Sequence, residues 1–425
     1  MKPFQIIVLG FFGVFALIGI LVFAGMSTGG SQDQVGSVVI WGTLPQDALE
    51  DVLSEVRDND PAFEQVTYSQ VSESQFTERF TEAIAIGNTP DLILIPHTLL
   101  ISNENKLRVI SEDMYSRRVY LDTFAEAGDI FLISGGTYGL PVLIDPLVMF
   151  YNRTTLNSAG ISQPPRNWEQ FLGMVEDVTV VNRDFTFEQS FVAMGTYQTV
   201  NNAIGIISSL FLQAGAPIVE QERSSLRGAL TSTPSLTRQT VSALRFYTEF
   251  ADPRKSSYSW TDAGISARNA FIANRLAIYF GLASEGKILE RSAEALNYDV
   301  APFPQPGTNE TPEVYGEVYG FAIPNASRNR DGAFETAQEL TRGPNVQYLA
   351  DLIGTAPARR DLLTAQDDPF LDVYYRAALI AQGWYSPQLD ITEEIFSDMV
   401  EDVVAGRETA EEAIDDAERR LDNAL

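Results

Sequence analysis

The chain has 425 residues, 45% of them hydrophobic, enough for two domains of ordinary size with a core in each. A formal net charge of −28 repels phosphate backbones and anionic headgroups, which argues against nucleic-acid binding and polybasic membrane docking and reads as a solvated acidic surface. The absence of cysteine excludes disulfides, thiolate metal sites and cysteine nucleophiles; with His97 the sole histidine, a Ser-His-Asp triad or a multi-histidine zinc site is hard to build, while carboxylate-only enzymes stay open.

In chain order, residues 6–26 come first, 21 positions without a charge. At about 1.5 Å per residue they are long enough to cross a hydrocarbon layer of roughly 30 Å. Lys2 ahead of them favours a cytoplasmic N-terminus and export of the rest of the chain. Residues 1–26 therefore read as an uncleaved signal anchor, a transmembrane helix, with a cleaved signal peptide as the alternative. Either way the folded part lies outside the cytoplasm, on the outer face of the membrane if anchored and secreted or periplasmic if cleaved. Residues 27–36, STGGSQDQVG, read as a flexible tether.

From residue 37 the pattern alternates between strand and helix. Residues 38–41 form a short apolar run; Ala48, Leu49, Val52, Leu53 and Val56 come next at helical spacing. A second strand is predicted at 65–71, then a helix with Phe76, Phe80, Ala83 and Ile84 on one face, then a buried strand at 91–95. Such alternation predicts a parallel sheet covered by helices on both faces. The middle of the chain reads as mostly helical, with turns at 163–165 and 251–253 and an irregular proline-rich connection at 302–312. Beyond it a strand is expected at 320–324, a helix at 332–340, and two terminal helices within 392–425.

In parallel α/β sheets, ligands sit where loops leave the carboxyl ends of the strands. Two such loops carry Trp41-Gly42-Thr43 and Pro96-His97-Thr98. The glycine lets backbone approach a ligand, and the Trp41 indole is either a flat face for a sugar ring or a core residue. His97, without a second histidine or cysteine to complete a site, reads as a structural loop residue.

Several blocks, in order, resemble one family. They include Val38-Val39-Ile40-Trp41-Gly42, Thr89-Pro90-Asp91-Leu92, and Tyr138-Gly139-Leu140-Pro141 followed by Asp145, Phe150-Tyr151-Asn152, Ala159-Gly160-Ile161 and Pro164-Pro165-Arg166-Asn167-Trp168. Further on come residues 270–279, the strand Tyr298-Asp299-Val300-Ala301-Pro302-Phe303-Pro304, Phe321-Ala322-Ile323-Pro324, and Gly354-Thr355-Ala356-Pro357-Ala358-Arg359-Arg360. Together they resemble the family 1 extracellular solute-binding proteins, the group that contains maltose- and oligosaccharide-binding proteins.

The resemblance implies a type II periplasmic-binding-protein fold: two α/β lobes, a hinge and a ligand cleft between them. Projected crossings give one lobe as 37–145 plus 321–343 and the other as 146–320 plus 344–425. It further implies a monomer that closes on a small solute and presents itself to ABC permease subunits, with no catalytic residue, no cofactor and no metal ligands assigned, a calcium ion in one of the acidic loops being left open. Candidate contacts are Trp41 and Gly42; Asp145 at the first hinge crossing, as ligand contact or hinge hydrogen bond; Tyr279, Phe280 and Gly281, the two rings being equally readable as core; Tyr319 and Gly320; and Trp384. Where the family's maltodextrin binders often carry tryptophan, just after the glycine matched by Gly281, this chain has Leu282 and Ala283, so the implied ligand is a sugar or similar polar solute rather than maltodextrin. Rival readings are an anchored surface receptor or adhesin that has lost transport, and an anchored glycan hydrolase working with two carboxylates.

Overall fold

The computed structural model describes residues 35–183, 186–222, 225–292, 296–307 and 311–425. The expected anchor and most of the tether lie outside them, and among the described residues no helix is long and apolar enough to cross a membrane.

The first third keeps the predicted order: β1 (Val38–Gly42), α1 (Gln46–Asn59), β2 (Val66–Gln70), α2 (Glu73–Ala85) and β3 (Leu92–Pro96). The apolar stripe of α1, Ala48, Leu49, Val52, Leu53 and Val56, is buried as its spacing predicts. β1 pairs in parallel with both β2 and β3. All five β3 residues are buried. Leu92 and Leu94 join the core that holds α1, whereas Ile93 and Ile95 face Phe76 and Phe80 of α2, the two-residue period expected of a strand covered on both sides.

The middle of the chain is richer in strands than its sequence pattern predicts. After the 14-residue β4 (Gly139–Asn152) come β5 (Val180–Val181), β6 (Phe187–Val192), β7 (Leu276–Leu282), β8 (Tyr298–Pro302), β9 (Val314–Ala322), β10 (Ala356–Pro357) and β11 (Ala381–Gln382). β7 (LAIYFGL) is a continuous apolar run that periodicity alone does not separate from buried helix, β5, β10 and β11 are only two residues long, and β6, β8 and β9 carry polar residues that break the apolar pattern. β9 begins at Val314, ahead of the expected start at residue 320.

One eleven-stranded sheet runs in the order β2-β1-β3-β9-β4-β7-β6-β5, with β8 and β10 also pairing β4 and β11 pairing β9. β4 changes partners partway along. Its first half, Gly139 to Pro146, lies against β9 and β10, while Leu147 to Asn152 lies between β7 and β8. Two strand groups are thus joined through β4 and β9, at the point where Pro146 has no N–H to donate to the ladder.

α3 (Ala203–Gln213) packs against β9 and is buried on nearly every side. α4 (Gly343–Ile353) packs on α1 and buries Val346, Leu349 and Ala350 in the core of β1–β3. Gly354, with φ of +82°, caps α4 in the left-handed conformation and turns the chain into β10. The two predicted terminal helices are α5 (Leu389–Val404) and α6 (Ala410–Ala424), the latter opened by a Thr409/Glu412 capping box.

Candidate functional site

The strand ends meet at a cavity of about 410 Å³. Its floor is Leu147 of β4 with Tyr315 and Glu317 of β9; one wall is His97 and Thr98 just after β3; the opposite wall is the 197–205 segment leading into α3, and Trp384 to Glu393 leading into α5 close the rim. A second opening of about 700 Å³ lies between α2 and the start of α5 and shares Leu389 and Glu393 with the first, so the two form one cleft with an inner chamber and a mouth.

The chemistry of the floor is set by sheet register. Glu317 and Asp145 are directly opposed across the β9–β4 pair, which puts two carboxylates on one face of the sheet. Burial, with Glu73 and Asp145 nearby, pushes the Glu317 carboxyl up to about 8. It accepts a hydrogen bond from the Tyr319 hydroxyl at 2.9 Å. Asp145 is 3% exposed, and burial raises it to about 6 against the opposing pull of bonds from Ser284 and Thr355. Its Oδ1 accepts the Ser284 N–H at 2.9 Å and the Thr355 hydroxyl at 3.0 Å, tying β4 to the segment after β7 and to the approach to β10. On α2, Glu73 is likewise raised by burial, although it accepts from Thr98 at 3.0 Å.

His97 is 1% exposed, and burial pushes its pKa down to about 3, so the ring is neutral. Nδ1 accepts the backbone N–H of Val318 at 3.1 Å. That bond fixes the tautomer, leaving the proton on Nε2, and Nε2 has no partner.

The other candidates distribute unevenly. Trp384 lines the chamber, but its indole N–H donates to Ser208 at 3.0 Å and its ring stacks on Phe396. Asp145 is buried beside Glu317, accepting from Ser284 and Thr355, and does not line the cavity. Tyr279 and Phe280 are core residues: the Tyr279 hydroxyl donates to the buried Glu285, and Phe280 packs among Trp168, Phe171 and Phe303. Gly281 and Gly320 are packing glycines, since a Cβ would come within 2.8 Å of Tyr279 in one case and of Phe131 in the other. Tyr319 reaches the site only through Glu317. Trp41 is half-buried near Arg79, and Gly42 abuts Leu94 and Tyr68; neither lines the cavity.

Sequence reading alone missed Tyr197, Asn201, Glu317 and Glu393, all of which line the chamber. Tyr197 and Asn201 stand in an irregular segment without periodicity. Glu317 carries a legible signal, an acid in the interior of an otherwise apolar strand, but the strand was expected to start after it.

The sequence profile of the bacterial extracellular solute-binding proteins matches residues 54–342. A binding protein of Brucella abortus (strain 2308) is 21% identical over 367 residues, covering 82% of each chain. Among solved structures, the cyclic alpha-maltosyl-1,6-maltose binding protein from Arthrobacter globiformis superposes with a TM-score of 0.74 at 16% identity, covering 91% of this chain and 98% of that one. A cyclo/maltodextrin-binding protein complexed with maltotetraose gives 0.72 at 19% identity, covering 91% and 96%. The two-lobed α/β fold is shared with these structures, and by the profile match over most of its length this chain belongs to the bacterial extracellular solute-binding protein family.

Proposed function

We propose that this chain is the solute-binding component of an ABC-type importer, capturing a sugar, oligosaccharide or similar small polar solute between two lobes and delivering it to a membrane permease without chemical change. The observation that carries the reading is the cavity of about 410 Å³ at the crossing of β4 and β9, walled on one side by the end of β3 and on the other by α3 and α5. That volume falls within the usual range for small-molecule sites. The relatives whose solved complexes hold maltotetraose or mannotriose favour carbohydrate as the solute class.

In this reading one lobe comprises residues 37–145 and 321–353, the other 146–320 and 354–425, and the chain crosses between them within β4 and β9, whose pairing shifts register between Tyr319 and Gly320. Closure is a hinge motion that brings α2 and the end of β3 toward α3 and α5, and the permease recognises the closed form. Residues 6–26 hold the monomer at the outer face of the membrane, or direct its export before removal.

The test is a thermal-shift screen of the full chain against mono- and oligosaccharides, amino acids and polyols. A ligand that binds only the folded state raises the melting temperature once its concentration exceeds Kd. Solute capture in this cleft requires that at least one compound shifts the transition and that Tyr197→Ala abolishes that shift. No shift from any member of the panel would refute the transport reading.

A further inference from the structure

We propose that the cleft selects an amine-bearing polyol of the amino-sugar type, its ammonium drawn to Glu317 at the floor and one of its oxygens accepting from His97. This deepens the solute-capture reading above and rests on it.

Six carboxylates line chamber and mouth: Glu73, Glu78, Glu82, Glu317, Asp390 and Glu393. No lysine or arginine lines either part. Helix N-termini at α2, α3 and α5 oppose this charge, but at roughly half an elementary charge each they offset only a fraction of six carboxylates. A buried acid elsewhere in the molecule is treated differently: Glu285 has Arg268 at 3.3 Å and accepts from Asn202 and Tyr279 as well. Glu317 accepts only the Tyr319 hydroxyl among the described residues, and an ammonium bound beside it favours the carboxylate, so that the proton Glu317 otherwise keeps is released to solvent on binding. The acids are also too dispersed for an inorganic ion, since among the described residues no three acidic or histidine side chains converge to hold a metal. An organic cation, with its charge at one end and contacts spread along its length, suits that spacing. The rings of Tyr197 and Tyr315 on the same surface suit it too.

The second observation is independent of charge. His97 lines the chamber and its Nε2–H is buried without an acceptor. An unpaired buried donor is costly, and an acceptor carried by a bound solute would relieve that cost. Gly383 packs over the face of the His97 ring, where a Cβ would come within 2.8 Å of Nε2 and about as close to Cδ2 and Cε1, so the N–H edge of the ring is not what it covers. A hydroxyl or ring oxygen satisfies this donor; a bare alkylamine does not. Cation and acceptor are therefore required in one small molecule.

The experiment is calorimetric titration of the full chain with glucosamine, glucose and N-acetylglucosamine, at low and high salt. Glucosamine is expected to bind about tenfold or more tightly than either neutral congener, with an affinity that falls as salt screens the attraction. Glu317→Gln, nearly isosteric, is expected to remove most of the preference for glucosamine over glucose; Glu393→Gln, on a different element, is expected to reduce that preference in the same direction. Equal or tighter binding of a neutral sugar, or a preference untouched by both substitutions, overturns cation selection and leaves solute capture standing. Failure of all three sugars while a neutral oligosaccharide binds has the same meaning. Failure of every compound overturns both readings.

Discussion

Glu317→Gln isolates the cost of an acid on the cleft floor. In the unfolded chain this carboxyl titrates near 4.5, and in the folded protein burial and its neighbours move it to about 8. Those neighbours come from every side: Glu73 on α2, Asp145 on β4, Tyr315 and Tyr319 on β9, Glu285 after β7, and neutral His97 after β3. A raised folded pKa means that the folded state keeps a proton the unfolded chain has released. Its stabilisation is complete below about 4.5 and is lost as pH rises through about 8. At about 1.4 kcal/mol per pH unit the full shift sets a ceiling of roughly 5 kcal/mol, and because Glu317 is only half-buried, about 2 kcal/mol is the expected size. Glutamine keeps the shape and the acceptor for Tyr319 but cannot ionise. Urea denaturation of both proteins from about pH 5 to about pH 8 should show the variant gaining on the wild type by roughly 2 kcal/mol across the range. A difference that stays flat with pH would show that the carboxylate is not held in the way its surroundings require.

Asp145→Ala leaves the Ser284 N–H without its acceptor and should cost about 1–3 kcal/mol, measured by the same denaturation. Asp145→Asn keeps an acceptor and sheds a charge whose pKa is raised to about 6, so at about pH 8 it should be at least as stable as the wild type. Gly42→Ala places a methyl 2.9 Å from the Leu94 carbonyl oxygen and should destabilise by about 1–3 kcal/mol, with no loss of affinity beyond that explained by unfolding.

The elements most legible in sequence are those with a full period to display. α1 shows its stripe from Ala48 to Val56, more than two turns, and β1 and β3 announce themselves as apolar runs bounded by turn residues. The strands of the second group share that apolarity without boundaries as clear, and so merge with the helices around them. The site was legible in type but not in membership. Conspicuous residues such as Tyr279, Phe280 and Trp384 attract a ligand assignment because they are large and sit near strand ends. Folding spends those same surfaces on Glu285, Trp168 and Phe396. The residues left facing the chamber, Tyr197, Asn201, Glu317 and Glu393, are brought together only by topology, from segments far apart in the chain.

That topology also governs when the protein can become itself. β3 is completed by β9, and the bond from Val318 to His97 spans 221 residues. At roughly 5–20 residues per second of synthesis, β3 waits on the order of 10–40 s for its partner to be made. Throughout that time Ile93 and Ile95 belong to a sheet with an open flank, a hazard for association with other chains. The group β1–β3 therefore cannot lock early in synthesis, because the strand that completes it lies in the last third of the chain to emerge.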